Sequence, residues 1–192
     1  MHLIAGLGNP GERYASTRHN VGFMVAALLA ARHGIALKKK GHQAQYGVGR
    51  CAAEQVMLLQ PQTFMNLSGA SVASACKSLG IAPGDVVVIH DEIDLPFGEV
   101  RVKVGGGHGG HNGLRNINQT IGTREYIRVR VGVDRPPTGG DVAAYVLRSF
   151  SSSEKKELDT VLMSAAEVVE TVIEFGVQQA MCDFNGRNVL NS

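Results

Sequence analysis

Gly6-Leu7-Gly8-Asn9-Pro10-Gly11-Glu12-Arg13-Tyr14-Ala15-Ser16-Thr17-Arg18-His19-Asn20 follows the short apolar run Leu3-Ile4-Ala5, and its reading decides the fold. Gly6, Gly8 and Gly11 satisfy the G-x-G-x-x-G spacing of a dinucleotide-binding turn. That fingerprint needs a helix directly after the turn and an acid ~20 residues further on for the ribose. Pro10 lacks an N–H and biases Asn9 away from helical geometry. No Asp or Glu occurs between Glu12 and Glu54. A nicotinamide cofactor is therefore not expected. The stretch reads instead as a strand followed by a glycine-shaped loop that holds Asn9 and His19 near one another.

Working outward, strand-like runs occur at Leu3–Gly6, Ala44–Arg50, Gln55–Leu59, Asp85–His90, Glu99–Val104 and Ile127–Val133. Helical periodicity marks Val21–His33, Ser68–Leu79 and Leu114–Ile121. A long amphipathic helix is expected from the capping box Ser151-Ser152-Ser153-Glu154 to Gly176, with a last short helix over Val177–Cys182. Strands interleaved with helices predict an α/β fold: a single domain over residues 1–192, with a central mixed, twisted sheet flanked by helices. The two runs on either side of Cys51–Glu54, joined by a short loop, predict an antiparallel pair.

Composition narrows the class. The chain has 192 residues, 44% of them hydrophobic and 19% charged, as in an ordinary globular domain. No apolar run approaches the ~20 residues of a membrane span. The start, Met1-His2-Leu3-Ile4, does not resemble a signal peptide. Cys51, Cys76 and Cys182 are far apart in sequence, which suits reduced thiols, so a cytoplasmic location is expected. Residues 1–140 carry fifteen Lys/Arg against nine Asp/Glu, whereas residues 141–192 carry four against eight. The basic part includes Lys38–Lys40 and Arg101, Lys103, Arg115, Arg124, Arg128 and Arg130. This asymmetry points towards a polyanionic partner, and solvated charges on unrelated faces account for it too.

Four loops that follow strands carry polar clusters, as expected of one shared cleft. His19 has the side chain suited to proton transfer near neutral pH, and it needs a partner on its other nitrogen. Asp91, Glu92 and Asp94 are the candidates; a capping histidine with solvated acids is the alternative. Gly105–Gly113 holds six glycines in nine positions and reads as a phosphate nest or a flexible turn, with Asn112 as a helix N-cap. His90, Asp91, His108 and His111 raise a metal site, but the glycines would leave such ligands loose. Asn66 fits a helix cap before Ser68–Leu79. Its functional reading gives the amide to a substrate carbonyl or to water, with Phe64 and Met65 as an apolar wall. No serine or cysteine has a recognisable nucleophile setting. A hydrolase built on these residues should activate water directly.

Four segments together, GLGNPGERYASTRHNVGF at 6–23, QPQTFMNLSGASV at 60–72, HDEIDLPFGEVRVKVGGGHGGHNGLRNI at 90–117 and RVRVGV at 128–133, closely resemble the bacterial-type peptidyl-tRNA hydrolase family. The resemblance implies cleavage of the ester that joins a peptide to the terminal ribose of tRNA. It makes His19 the general base, Asp91 its partner, and Asn9 a contact to the peptide near its first amide. Tyr14, Phe64, Met65, Asn66, His111 and Asn112 would line the site for the peptidyl-tRNA end, and Lys103 with Arg130 would grip phosphate. It implies peptidyl-tRNA as partner, with no membrane, no metal and no organic cofactor, and a monomer is the simplest expectation. A non-catalytic RNA-binding module on the same fold, like the related plant organelle splicing factor, is the alternative.

Overall fold

The strand that opens the chain, β1 (His2–Gly6), lies at the centre of the sheet in a computed structural model that describes residues 1–191. The other strands are β2 (Lys39–Gly41), β3 (Ala44–Cys51), β4 (Glu54–Pro61), β5 (Val86–Glu92), β6 (Val100–Val104) and β7 (Ile127–Gly132). Among the described residues they form one seven-stranded sheet in the order β2-β3-β4-β1-β5-β7-β6. The central strands β4, β1, β5 and β7 run parallel. The pairs β2–β3, β3–β4 and β6–β7 are antiparallel, so the sheet is mixed, as predicted.

Six α-helices are described: α1 (Val21–His33), α2 (Ser68–Leu79), α3 (Asn112–Ile121), α4 (Val142–Val146), α5 (Ser152–Phe175) and α6 (Val177–Phe184). Alternating side chains of the parallel strands serve two cores. Ile4, Leu58, Val87, Ile89 and Val129 pack under α1, α5 and α6. Leu3, Ala5, Met57, Leu59 and Val88 pack under α2 and α3. The result is a three-layer α/β domain. The α5 capping box forms as its sequence requires: Glu154 N–H donates to the Ser151 hydroxyl, and Ser151 N–H donates to the Glu154 carboxylate. Cys51, Cys76 and Cys182 are all free.

The glycine triplet has a packing cause. A Cβ on Gly6 would lie 2.2 Å from the Gly22 carbonyl oxygen, and one on Gly8 would meet the Phe23 ring at 2.7 Å. Gly6 and Gly8 therefore let α1 lie directly on β1, while Gly11 turns the chain at φ 101°. No helix follows that turn at once; 3₁₀ turns at Glu12–Tyr14 and Arg18–Asn20 intervene before α1.

Two elements escape the sequence patterns. β2 is polar and lies at the sheet edge, and its turn to β3 uses His42 and Gln43 at φ 53° and 52° without the glycine such hairpins favour. The five residues of α4 are too few for a helical period to register. β5 also runs further than predicted, so Asp91 sits on a strand end and not in a loop.

Candidate active site

The ends of the parallel strands open into a cleft of about 640 Å³ lined by Asn9, His19, Phe64, Met65, Asn66, Asp91, His111 and Asn112, among others. The predicted loops do converge. His19 comes from the 3₁₀ turn Arg18–Asn20 and meets Asp91 at the end of β5. Its Nδ1 is 2.8 and 3.0 Å from the two carboxylate oxygens. Asp91 is 4% exposed, so the contact is not solvent-screened. Arg18, itself buried, holds that turn in place. Its guanidinium donates to the Ser149 carbonyl at 3.1 Å and to Glu154 at 2.9 Å, and it lies 4.2 Å above the Tyr145 ring.

Asp91 receives a second donor. His111 Nε2 stands 2.9 Å from Asp91 Oδ1. The other nitrogen of His111, Nδ1, accepts from the backbone N–H groups of Gly113 and Leu114 and so caps α3. An acceptor Nδ1 puts the proton on Nε2, which fixes the tautomer that donates to Asp91. His111 thus occupies the N-cap position predicted for Asn112.

Burial pulls the His19 pKa down, but the charge of Asp91 and its hydrogen bond outweigh that, leaving it raised. For Asp91, burial pushes the pKa up; the imidazoles of His19 and His111 overcome this and hold the carboxyl well below its ordinary value. Asp91 therefore stabilises the imidazolium form of His19 relative to a free histidine side chain. His90, fully buried behind it, donates through Nδ1 to the Asp91 carbonyl at 2.7 Å and stacks edge-on to His111. Its pKa is pushed down to about 3 by burial first, then by His111, so it stays neutral.

Three side-chain amides, those of Asn9, Asn66 and Asn112, line the cleft with His19. Asn9 accepts the Met65 N–H at 2.8 Å through Oδ1, which turns its Nδ2 to the cleft with no partner among the described residues. Asn20, fully buried, clamps Asn9 by both edges: it accepts the Asn9 N–H and donates to the Asn9 carbonyl, each at 2.9 Å. Asn66 and Asn112 are exposed, and their amides carry no partner among the described residues. Asn66 caps nothing: it lies in the 3₁₀ turn Met65–Leu67, and α2 starts after Leu67 without a side-chain cap. Phe64 is 61% exposed at the cleft rim, whereas Met65 is buried.

The remaining predicted residues lie outside the cleft. Tyr14 sits on the first 3₁₀ turn with Arg13 4.8 Å above its ring. Lys103 is exposed on β6, and Arg130 on β7 is paired with Glu92 at 2.9 Å. The β6–β7 register sets Arg101 opposite Arg130 and Lys103 opposite Arg128, so all four occupy one sheet face. The glycine segment is tied to this face. Arg128, buried and 4.8 Å from the Tyr126 ring, donates to the carbonyls of Gly106 and Gly107. The segment is therefore less loose than its composition suggested.

His19, Asp91 and His111 each offer one ligand atom, and these lie within 4.8 Å of one another, near enough to share a metal ion. All three side chains already engage one another in the hydrogen bonds just described. His108 stands apart, its Nδ1 accepting from Gly110 N–H. Sequence reasoning missed Arg18 and Asn20 as supports, named Glu92 only as a candidate partner of His19, and missed the apolar residues Val142, Val146 and Leu147 that also line the cleft. For Asn20 a signal existed, since it is the second asparagine in the stretch that carries His19.

Among the described residues lining the cleft there is no serine, threonine, cysteine or lysine. The fold and site thus define an α/β protein with a histidine–carboxylate pair of the kind that activates water. The family model for peptidyl-tRNA hydrolase matches residues 3–192, and the chain belongs to that family. A peptidyl-tRNA hydrolase from Syntrophotalea carbinolica is 57% identical over 187 residues, covering 97% of this chain and 98% of that one. One from Rhodococcus opacus is 52% identical over 181 residues, 93% and 94% of the two chains. The crystal structure of peptidyl-tRNA hydrolase from Acinetobacter baumannii superimposes with a TM-score of 0.92 at 40% identity, covering 98% of this chain and 96% of that one.

Proposed function

We infer that His19 activates a water molecule against the ester carbonyl of peptidyl-tRNA, the substrate that the family name specifies. The observation that carries this reading is the His19–Asp91 contact beside a solvent-reachable Nε2. Nδ1–H is held by the carboxylate, so the lone pair on Nε2 faces the cleft. As the water oxygen adds to the carbonyl carbon, Nε2 takes its proton and Asp91 stabilises the resulting imidazolium. His19 then returns the proton to the ribose oxygen as the ester C–O bond breaks. The products are tRNA with a free terminal hydroxyl and a peptide carboxylic acid, which loses the second water proton to solvent as a carboxylate. No cofactor enters these steps.

The unpartnered amides supply the remaining functions. Asn9 Nδ2 is positioned to donate to the peptide near its first amide, and Asn66 or Asn112 to donate to the developing oxyanion. Neutral amides recognise a peptide backbone without reading side chains, which fits a substrate of arbitrary sequence. Lys103 and Arg130 hold backbone phosphate, with Tyr14 a contact at the RNA end. An RNA-binding module would not need a buried carboxylate oriented by two histidines, and this favours the enzyme. Among the described residues no helix is long and apolar enough to cross a membrane. A cytoplasmic monomer fits these features. Release of peptide from purified peptidyl-tRNA in the presence of a chelator tests the reading; persistence of the ester under those conditions overturns it.

A further inference from the structure

A second groove, of about 320 Å³, opens on the far side of Asn9 and is lined by residues that include Pro10, Phe23, Met24, Gln45, Gln60 and Gln62. We propose that this groove carries the peptide beyond its first residues, so that RNA at β7–β6 on one face of the sheet and peptide at β4–β3 on the other meet at the strand ends. The proposal rests on the hydrolase reading above.

Three observations support it. First, Asn9 lines both the catalytic cleft and the groove, so the two adjoin at the residue assigned to the first peptide amide. Second, the strand order fixes a direction. β1, whose following loop holds Asn9, and β5, which carries Asp91, lie between the basic strands β7 and β6 on one side and β4 and β3 on the other. Gln60 on β4 and Gln45 on β3 are register partners on that second side, on the sheet face of Leu58 under α1, whereas Lys103 and Arg130 lie on the opposite face. RNA bound by Lys103 and Arg130 therefore leaves the groove side free for the acyl portion.

Third, the groove's chemistry matches a peptide backbone. No charged side chain lines it. Gln60 donates to the Phe23 carbonyl and Gln62 to the Gln60 carbonyl, which leaves both glutamine oxygens unused. The Gln45 amide has no partner among the described residues. Spare amide donors and acceptors beside Phe23 and Met24 suit a main chain of any sequence. Lys40, opposite Gln45 on the edge strand β2, lies outside the lining. Phosphate binding would need cations within the groove.

Ala27 is exposed on the groove wall and offers a block that leaves the core untouched. The experiment compares kcat/KM for N-acetyl-aminoacyl-tRNA and for an N-acetylated hexapeptidyl-tRNA in wild type, Ala27→Trp and Gln62→Glu. Wild type should favour the longer substrate. In both variants the longer substrate should lose about tenfold, the scale of one lost side-chain contact, with the short substrate unchanged. Equal losses on both substrates, no loss on either, or an altered salt dependence of tRNA binding would each overturn the proposal. A variant that fails to melt cooperatively is set aside, and the other decides. A wild type that cleaves neither substrate would instead overturn the hydrolase reading itself.

Discussion

Asp91 Oδ1 accepts from His111 Nε2 at 2.9 Å, and His111 can donate there only because its Nδ1 is committed to the N-terminus of α3. A helix cap thereby sets the tautomer of one histidine, which orients the carboxylate that orients the other. His111→Ala should remove the cap, at a cost of ~1 kcal/mol, and slow turnover. Asn is a good N-cap but too short to reach Asp91. His111→Asn should therefore recover the urea-unfolding stability without recovering kcat. Joint recovery of both would mean that His111 acts through stability alone.

Asp91→Asn should lower kcat steeply while tRNA affinity stays close to wild type. The pH profile carries the sign. Asp91 raises the His19 pKa, so wild-type kcat/KM falls on acidification from above the ordinary histidine value of ~6.5. Without the carboxylate charge, burial dominates, and the acid limb should move to lower pH. An unmoved limb in the variant contradicts the assigned partnership.

Lys103 is exposed and unpaired among the described residues, whereas Arg130 also neutralises Glu92. Lys103→Ala is therefore the cleaner probe of phosphate contact. It should reduce the slope of log K against log salt by about 0.7–0.9, the release expected for one phosphate contact. An unaltered slope would remove Lys103 from the RNA surface.

His90 predicts acid lability. Its folded pKa, about 3, lies below the unfolded value near 6.5, so the unfolded chain binds the extra proton between them. Stability should fall by ~1.4 kcal/mol per pH unit through that window from this group alone. His19 acts in the opposite sense and elsewhere: its raised pKa stabilises the fold fully below ~6.5, and that contribution is lost as pH rises through its folded value. Unfolding free energies measured between pH 6 and 4.5 should show a shallower decline in His90→Asn than in wild type. Parallel declines would refute a neutral buried His90.

The sheet was legible because its parallel strands are continuous apolar runs, and the long helix because Ser151 and Glu154 form a complete capping box. β2 was not, since a Lys-Lys-Gly edge strand has no apolar alternation and His42-Gln43 gives no turn signal. At the site, His19 could be named from residue type, whereas Asp91 stood beside Glu92 and Asp94 until the family resemblance singled it out, as it did the role of Asn9. That His111 and not Asn112 caps α3 depends on which side chain reaches the helix N-terminus, a matter of backbone geometry. Arg18 was invisible for a similar reason: its partners, the Ser149 carbonyl and Glu154, are brought close only by folding, as is the Asn9 backbone that Asn20 clamps. Gly6 and Gly8 looked like a cofactor motif because close helix–strand packing and pyrophosphate binding both call for glycine.

The central claim is that His19 is the base. The most direct test is the single-turnover rate of ester cleavage on N-acetyl-aminoacyl-tRNA by His19→Ala, with tRNA binding measured in parallel. The rate should fall by ~10²–10⁴-fold with binding retained. Cleavage at the wild-type rate would contradict the account.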